Sequence, residues 1–155
     1  MRPSVRGVLL DHDEQLLIFR RTVPGREVYW SVPGGHVEPE DATLEDTLHR
    51  ELLEELGATV SAVTPLTTLT YARQGEFKTQ HVYGCRLVRM DPALRHGPEV
   101  DDPARGVYEV VPVPLRESEI TSRNLVPEAV AGYLSRHITA LPRLIGGPRS
   151  PTGGR

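Results

Sequence analysis

The sequence predicts an α/β fold in which helices cover both sides of a mixed β-sheet. Short apolar and alternating runs typical of strands recur along the chain, and an amphipathic helical pattern separates them near residue 50. A second helical pattern comes near the end. At 155 residues, with 38% hydrophobic and 25% charged residues, the chain is long enough for one domain with a sizeable core. We predict a single domain over residues 1–145 and a disordered tail without an apolar anchor over residues 146–155.

Seven segments have the short apolar or alternating pattern of β-strands. In chain order they are residues 5–10, 15–20, 29–32, 59–63, 66–71, 79–89 and 107–111. A polar turn predicts a hairpin between the first two strands, and Gln74-Gly75 predicts a turn before the sixth. The third strand runs into Pro33-Gly34-Gly35, a loop whose two glycines let the backbone approach a ligand. A loop rich in Pro, Gly and Asp is expected over residues 91–106.

Two helices are predicted. The first spans about Thr43 to Leu56, because Thr43 and Asp46 form an N-terminal capping pattern and Gly57 suits the position just after the helix. The second spans about Pro127–His137, since proline is favoured in a first helical turn.

The first helix carries three close acidic residues, Glu51, Glu54 and Glu55, at positions i, i+3 and i+4. Such like charges destabilise an isolated helix, so we expect a positive charge among them. Glu55 falls within the arc of the leucine stripe and Glu51 lies at its edge, which partly removes both carboxylates from water unless a cation compensates. Mg²⁺ or Mn²⁺ is the obvious candidate. The alternative is an exposed Glu-rich helix with an ordinary arginine.

The stretch from Gly35 to Ala58 resembles the Nudix box of the Nudix hydrolase superfamily. Its second half matches fully from Arg50 to Gly57, with Ala58 in place of the last aliphatic residue. The first half departs twice: Asp41 stands where the family has glutamate, and eight residues instead of seven separate it from Arg50. We place this one-residue insertion before the helix cap, where it leaves the register of the helix unchanged. Either Asp41 or Glu40 then takes the place of the family's first glutamate.

The resemblance implies the α/β/α sandwich of the Nudix fold. It also implies hydrolysis, with a divalent metal, of the pyrophosphate linkage in a nucleoside diphosphate joined to another group. Glu51, Glu54 and Glu55 are the expected Mg²⁺ or Mn²⁺ ligands, and the resemblance adds the carbonyl of Gly34. Arg50 is expected to orient a neighbouring glutamate, which makes Glu51, Arg50 and Glu54 the catalytic group.

The general base is left open between Glu51 in the box and two residues outside it, Glu99 and Glu109. For Glu109 the alternative is an outward-facing strand residue. Arg20, Trp30 and Glu109 are the candidate substrate-binding residues. Arg20 could meet a terminal phosphate or be a solvated charge at a strand edge, and Trp30 could stack on a base or belong to the core.

The expected partner is a small-molecule nucleotide, of nucleoside triphosphate or ADP-ribose type. Family members of the NADH type carry a zinc ribbon, which the single cysteine of this chain cannot build. A net charge of −3 without a Lys/Arg run argues against duplex DNA or RNA as a partner. Cys85 lies in an apolar strand and is expected to be a packed side chain. No apolar stretch is long enough for a membrane span, and no signal peptide is recognisable, so we expect a cytoplasmic protein. The sequence leaves open whether the protein forms a homodimer.

Two other functions compete with hydrolysis. One is a nucleotide-binding or sensor module that keeps the Nudix fold without turnover, although such modules usually lose box glutamates that are present here. The other is a structural protein with an acidic helix, which would bind no metal.

Overall fold

Eight β-strands form one mixed sheet in the computed structural model, which describes residues 3–146 and, within them, all side chains except that of Glu99. The strands are β1 Ser4–Leu10, β2 Leu16–Thr22, β3 Tyr29–Ser31, β4 Gly34–His36, β5 Ala58–Arg73, β6 Glu76–Met90, β7 Val107–Val113 and β8 Leu125–Val126. Their order is β5-β6-β1-β2-β3-β8, with β4 also paired to β1 and β7 to β2. The β1–β6 and β3–β8 pairs are parallel and the others antiparallel, so the predicted mixed sheet is confirmed.

Five α-helices accompany the sheet within the described residues. They are α1 Leu44–Leu56, α2 Pro98–Asp101, α3 Glu117–Thr121, α4 Glu128–His137 and α5 Leu141–Leu144. None of the helices in this part of the chain is long and apolar enough to cross a membrane. The predicted tail over residues 146–155 lies outside the described residues, apart from Gly146.

Alternation along β1 separates two apolar cores. Val5 and Leu9 belong to the cluster that contains the leucines of α1. Val8 and Leu10, which point the other way, belong to the cluster that contains the buried residues of α4. Helices therefore cover both faces of the sheet, as predicted.

The N-terminal half of β1 turns away from β2. These two strands share one register pair, Leu10 with Leu16, while residues Ser4–Arg6 of β1 pair with β4. The glycine loop predicted before the helix is therefore partly a strand. A Cβ atom at Gly34 would collide with the carbonyl oxygen of Val5, so glycine is required for this pairing of the two backbones.

The predicted strands 59–63 and 66–71 are one continuous strand, β5. Its pairing with β6 shifts register at three places, between Thr59 and Val60, between Ser61 and Thr64, and between Pro65 and Thr67. Proline in the sequence indicates a break, but β5 lies at the edge of the sheet, where bulges absorb a residue without an N–H donor.

The C-terminal part differs from the prediction in detail. Helix α4 begins at Glu128, with Pro127 as its N-cap. The short elements α3, β8 and α5 were missed, because segments of two to five residues carry no readable periodicity. The loop over residues 91–106 contains two 3-10 turns and α2. Both 3-10 turns begin at an Asp-Pro-Ala sequence in which the aspartate side chain accepts the N–H of the alanine.

Candidate functional site

The ends of α1 are capped as the sequence predicts. The Thr43 hydroxyl accepts the N–H of Asp46 at 3.0 Å, and the Asp46 carboxylate accepts the N–H of Thr43 at 3.2 Å. Gly57 ends the helix with φ of 67° and donates its N–H to the carbonyl of Leu53. Because the cap follows the extra residue, the register of the glutamates along α1 does not depend on the insertion.

Glu51 and Glu55 lie one helical turn apart against the glycine strand, and each is 3% exposed. The Glu55 carboxylate accepts the N–H of Gly34 at 2.9 Å. A Cβ atom at Gly35 would collide with the carboxylate of Glu51. Gly35 therefore lets β4 approach the Glu51 carboxylate, a closeness that any other side chain would prevent.

Asp41, the residue in place of the family's first glutamate, binds Arg50 through both carboxylate oxygens. Arg50 Nε donates to Oδ1 at 3.0 Å and Arg50 Nη2 to Oδ2 at 2.9 Å. Oδ2 also accepts the Thr47 hydroxyl at 2.8 Å and the N–H of Glu38 at 2.9 Å. Glu40 is exposed. Of the two alternatives left open by the sequence, the structure brings Asp41 to the arginine.

Arg50 links this aspartate to the glutamates of the helix. Its Nη1 lies 3.4 Å from a carboxylate oxygen of Glu51 and 3.4 Å from Glu54, while Nη2 donates to the His36 carbonyl at 3.1 Å. The hydrogen-bonded Arg50 guanidinium holds the pKa of Asp41 well below its ordinary value. The same bonds raise the pKa of Arg50. Arg50 thus places a positive charge beside Glu51 and Glu54.

The donor set suits a hard divalent cation, because it consists of carboxylate oxygens, including those of the buried Glu51 and Glu55. In the arrangement seen among residues 3–146, however, no three His, Cys, Asp or Glu side chains are gathered as a ready-made metal cluster. Glu54 is turned toward Arg50 and Glu55 toward the Gly34 N–H.

The segment over residues 91–106 packs on the C-terminal half of α1. The N–H of His96 donates to the Glu54 carbonyl at 2.8 Å, and Arg95 Nε donates to the Glu55 carbonyl at 2.6 Å. At Gly97 an added Cβ atom would lie 3.3 Å from a carboxylate oxygen of Glu54. Glu99 follows two residues later, but its side chain is outside the described part of the structure.

The three predicted substrate-binding residues lie side by side in one row of the sheet. Arg20 on β2 is in register with Trp30 on β3 and with Glu109 on β7. Arg20 Nη1 is 3.8 Å from Glu109, and both side chains are well exposed, at 42% and 58%. Trp30 packs against the core on the α4 side and the Arg123 guanidinium lies 4.5 Å from its ring centre. One face of Trp30 is thus already covered by a cation.

Arg6 is a residue of this region that the sequence reasoning missed. It lies on β1 directly opposite Gly34, and its guanidinium donates to the Val32 carbonyl at 2.8 Å. The readable signal was a single charge inside the otherwise apolar stretch from Val5 to Leu10. Cys85 is fully buried, and burial raises the pKa of its thiol to about 12, so the prediction of a packed side chain is confirmed.

Comparison with solved structures gives the same architecture. A NUDIX hydrolase from Nitrosomonas europaea superposes with a TM-score of 0.69 at 18% identity, over 89% of each chain. A MutT structure from a study of the Aliivibrio salmonicida and Vibrio cholerae proteins gives 0.60 at 21% identity, over 90% of this chain and 98% of that one. The NUDIX domain of Shewanella oneidensis NrtR, complexed with ADP ribose, gives 0.66 at 18% identity, over 90% and 88%.

No curated protein is significantly similar in sequence. The family model for the NUDIX domain, in contrast, matches residues 1–124. This range includes strands β1 to β7 and helix α1 with its charged residues Arg50, Glu51, Glu54 and Glu55. The chain therefore belongs to the NUDIX domain family.

Proposed function

We propose that this protein is a metal-dependent hydrolase of the pyrophosphate linkage in a nucleoside diphosphate joined to another group. The observation that carries the proposal is the pair of buried carboxylates, Glu51 and Glu55, held against Gly34 and Gly35. Burying two like charges one helical turn apart is costly unless a cation joins them.

Glu51, Glu54 and Glu55 would hold Mg²⁺ or Mn²⁺, with the Gly34 carbonyl as a further ligand. When bound, such an ion neutralises the substrate's charge, polarises a phosphoryl oxygen and lowers the pKa of water. The remaining roles belong to the chain. Arg50, bound along one edge by both carboxylate oxygens of Asp41, keeps Glu51 and Glu54 in place without contacting the substrate. Glu51, Arg50 and Glu54 thus form the catalytic group.

For the general base, Glu51 and Glu99 are the better candidates. Glu109 is more than half exposed and faces Arg20 at 3.8 Å, an arrangement typical of an outward-facing strand residue. Glu51 is buried on α1 next to Arg50 and belongs to the catalytic group. The segment that carries Glu99 packs next to Glu54, so Glu99 remains a candidate for the general base.

The substrate class is a nucleoside triphosphate or an ADP-ribose derivative. The structural relatives include a MutT protein and a NUDIX domain complexed with ADP ribose, and both names support this range. Arg20 and Trp30 are proposed to contact the substrate beyond the pyrophosphate, together with Glu109. Because the Arg123 guanidinium already covers one face of Trp30, a base would have to stack on the arginine or displace it.

The test is a screen of nucleoside triphosphates, ADP-ribose and dinucleotides for phosphate, pyrophosphate or nucleoside monophosphate release with Mg²⁺ or Mn²⁺. Glu55→Gln should abolish turnover while the fold stays intact. Glu45→Gln is the matched control, because Glu45 is an exposed glutamate on the same helix. Absence of turnover for every compound with either metal would overturn the hydrolase proposal.

The two alternative functions give different results in the same experiments. A binding or sensor module would bind ADP-ribose in a calorimetric titration without cleaving it. A structural protein would show no heat of Mn²⁺ binding, with wild type and Glu55→Gln behaving alike.

A further inference from the structure

The pyrophosphate of the proposed substrate is negatively charged, and Arg50 has no free guanidinium edge with which to bind it. All three nitrogens of its guanidinium donate to protein acceptors, two of them to the Asp41 carboxylate. Its remaining contacts go to Glu51 and Glu54. The site therefore contains four carboxylates and an arginine with no free edge for a phosphate.

Arg6 is a charged residue beside the glycine strand, with its side chain on the same face of the sheet as Val8 and Leu10. In the β1–β4 pair it is in register with Gly34, the residue whose N–H binds the Glu55 carboxylate. Its Nη1 donates to the carbonyl of Val32, just before the turn into the glycine strand, at 2.8 Å. The side chain is thus anchored to the segment that leads into the glycine strand.

Two polar residues fix the other edge of the Arg6 guanidinium. Its Nε donates to the side-chain oxygen of Gln80 at 3.1 Å, and the Gln80 amide donates to the Tyr71 hydroxyl at 3.0 Å. Gln80 is 5% exposed, so this chain of bonds is preorganised. The third guanidinium nitrogen, Nη2, makes no hydrogen bond to any residue in the described range. Arg6 is therefore oriented by neutral groups and retains donors for an anion.

The electrostatic environment agrees with this placement. Burial lowers the pKa of Arg6, while the charges of Glu55 and Glu51 act in the opposite direction. A guanidinium stays protonated even so, which makes Arg6 a permanent positive charge that interacts electrostatically with both carboxylates.

Other arginines of the region are engaged elsewhere. Arg95 donates to the backbone carbonyls of Glu55 and Tyr108. Arg21 lies with its guanidinium 3.4 Å from the centre of the Tyr108 ring and donates to the Arg105 carbonyl. Arg20 is in the separate row with Trp30 and Glu109.

We propose that Arg6 binds a phosphoryl oxygen of the substrate's pyrophosphate through its unused donors, and that Gln80 and Tyr71 are the positioning residues that aim it. The inference rests on the proposed function and adds a specificity determinant to it. Arg6 favours substrates with two adjacent phosphates over those with a single phosphate, because its positive charge attracts the more highly charged group more strongly.

The first test is calorimetric binding of inorganic pyrophosphate in saturating Mg²⁺ to wild type and Arg6→Gln. Arg116→Gln is the matched control, since Arg116 is exposed and its loss changes the net charge equally. Arg6→Gln should weaken pyrophosphate binding by about tenfold or more, as expected for a lost charge-assisted hydrogen bond, whereas Arg116→Gln should change it less than about twofold. Equal affinities of Arg6→Gln and wild type, or no binding by wild type, would overturn the inference.

The Gln80→Glu variant distinguishes phosphate binding by Arg6 from a purely structural role of Arg6 as counter-ion of the glutamates. A carboxylate at position 80 would pair with Arg6 Nε and neutralise the positive charge of the guanidinium. The fold should then be at least as stable as wild type in thermal melting, yet pyrophosphate should bind several-fold more weakly. A structural counter-ion role predicts instead that pyrophosphate affinity is unchanged. Tyr71→Phe should raise KM for ADP-ribose or a nucleoside triphosphate more than it lowers kcat, and the opposite split would contradict a positioning role.

The inference and the proposed function can fail separately. If wild type hydrolyses no nucleotide but Arg6→Gln still loses pyrophosphate affinity, the hydrolase proposal fails and the anion site remains. If hydrolysis proceeds normally in Arg6→Gln with unchanged pyrophosphate affinity, the hydrolase proposal stands and Arg6 has no role in it.

Discussion

Substitution of Asp41 by asparagine tests whether Asp41 is the buried partner of Arg50. The side chain is 5% exposed, and four hydrogen bonds end on its carboxylate, two from Arg50, one from Thr47 and one from the Glu38 N–H. Asparagine has the same shape but offers one acceptor oxygen instead of two. Its amide nitrogen would therefore face N–H or O–H donors whose hydrogen bonds the carboxylate now accepts.

The expected loss of stability follows from these bonds. Hydrogen bonds to a charged group contribute about 1.5–3 kcal/mol each, and removal of one partner of a buried ion pair costs about 3–5 kcal/mol. Arg50 is 27% exposed, so water can replace part of what it loses. We therefore expect Asp41→Asn to lower the free energy of unfolding by about 2–4 kcal/mol at pH 7.

The pH dependence has a definite sign. Bonds from Arg50 hold the pKa of Asp41 in the folded protein below its unfolded value of about 4. The stabilisation is therefore fully present above that value and is lost as pH falls toward the folded pKa. The difference between wild type and Asp41→Asn should be largest at neutral pH and should shrink below about pH 4.

Urea denaturation followed by circular dichroism measures this difference directly. Glu40→Gln is the matched control: it removes the same charge from the neighbouring residue, which is exposed, and should change stability by less than about 0.5 kcal/mol. Equal losses for the two variants, or a stable Asp41→Asn, would refute the assignment of Asp41 as the partner of Arg50.

Three further outcomes are expected. Gly35→Ala should displace the Glu51 carboxylate, which the new methyl group would strike, and should lower both Mn²⁺ affinity by calorimetry and stability by about 1–3 kcal/mol; unchanged Mn²⁺ affinity would contradict this. Cys85 should not react with a thiol reagent such as dithiobisnitrobenzoate until the protein unfolds, because it is fully buried with a pKa raised to about 12. Arg86→Ala should lower the thermal midpoint clearly, since the buried Arg86 binds Glu14 and two C-terminal carbonyls, while Arg89→Ala at a 69% exposed position should have almost no effect.

Much of the fold was readable from local patterns. The caps of α1 at Thr43 and Gly57 and the turn at Gln74-Gly75 depend on interactions within a few residues, so the sequence contains the whole signal. The clustering of Glu51 and Glu55 on the core side of α1 follows from helical periodicity alone. These features were predicted because they need no partner elsewhere in the chain.

The misses share a physical cause. Segments 59–63 and 66–71 form one strand because pairing along the whole of β6 outweighs the local break at Pro65. Gly34 and Gly35 belong to a strand since they pair with β1, thirty residues earlier in the chain. Propensity is a weak prior in such places, where contacts distant in sequence decide the outcome.

By itself the sequence determined the helix, its register, the acidic cluster and the arginine beside it, because each depends on spacing along a single helix. Only the tertiary structure decided which acidic residue of the loop binds Arg50, how closely the glycines approach the glutamates, and that Arg6 lies opposite Gly34. Those three relationships join segments brought together by strand pairing and burial. Their geometry depends on the packing of the whole sheet against α1, which no local pattern encodes.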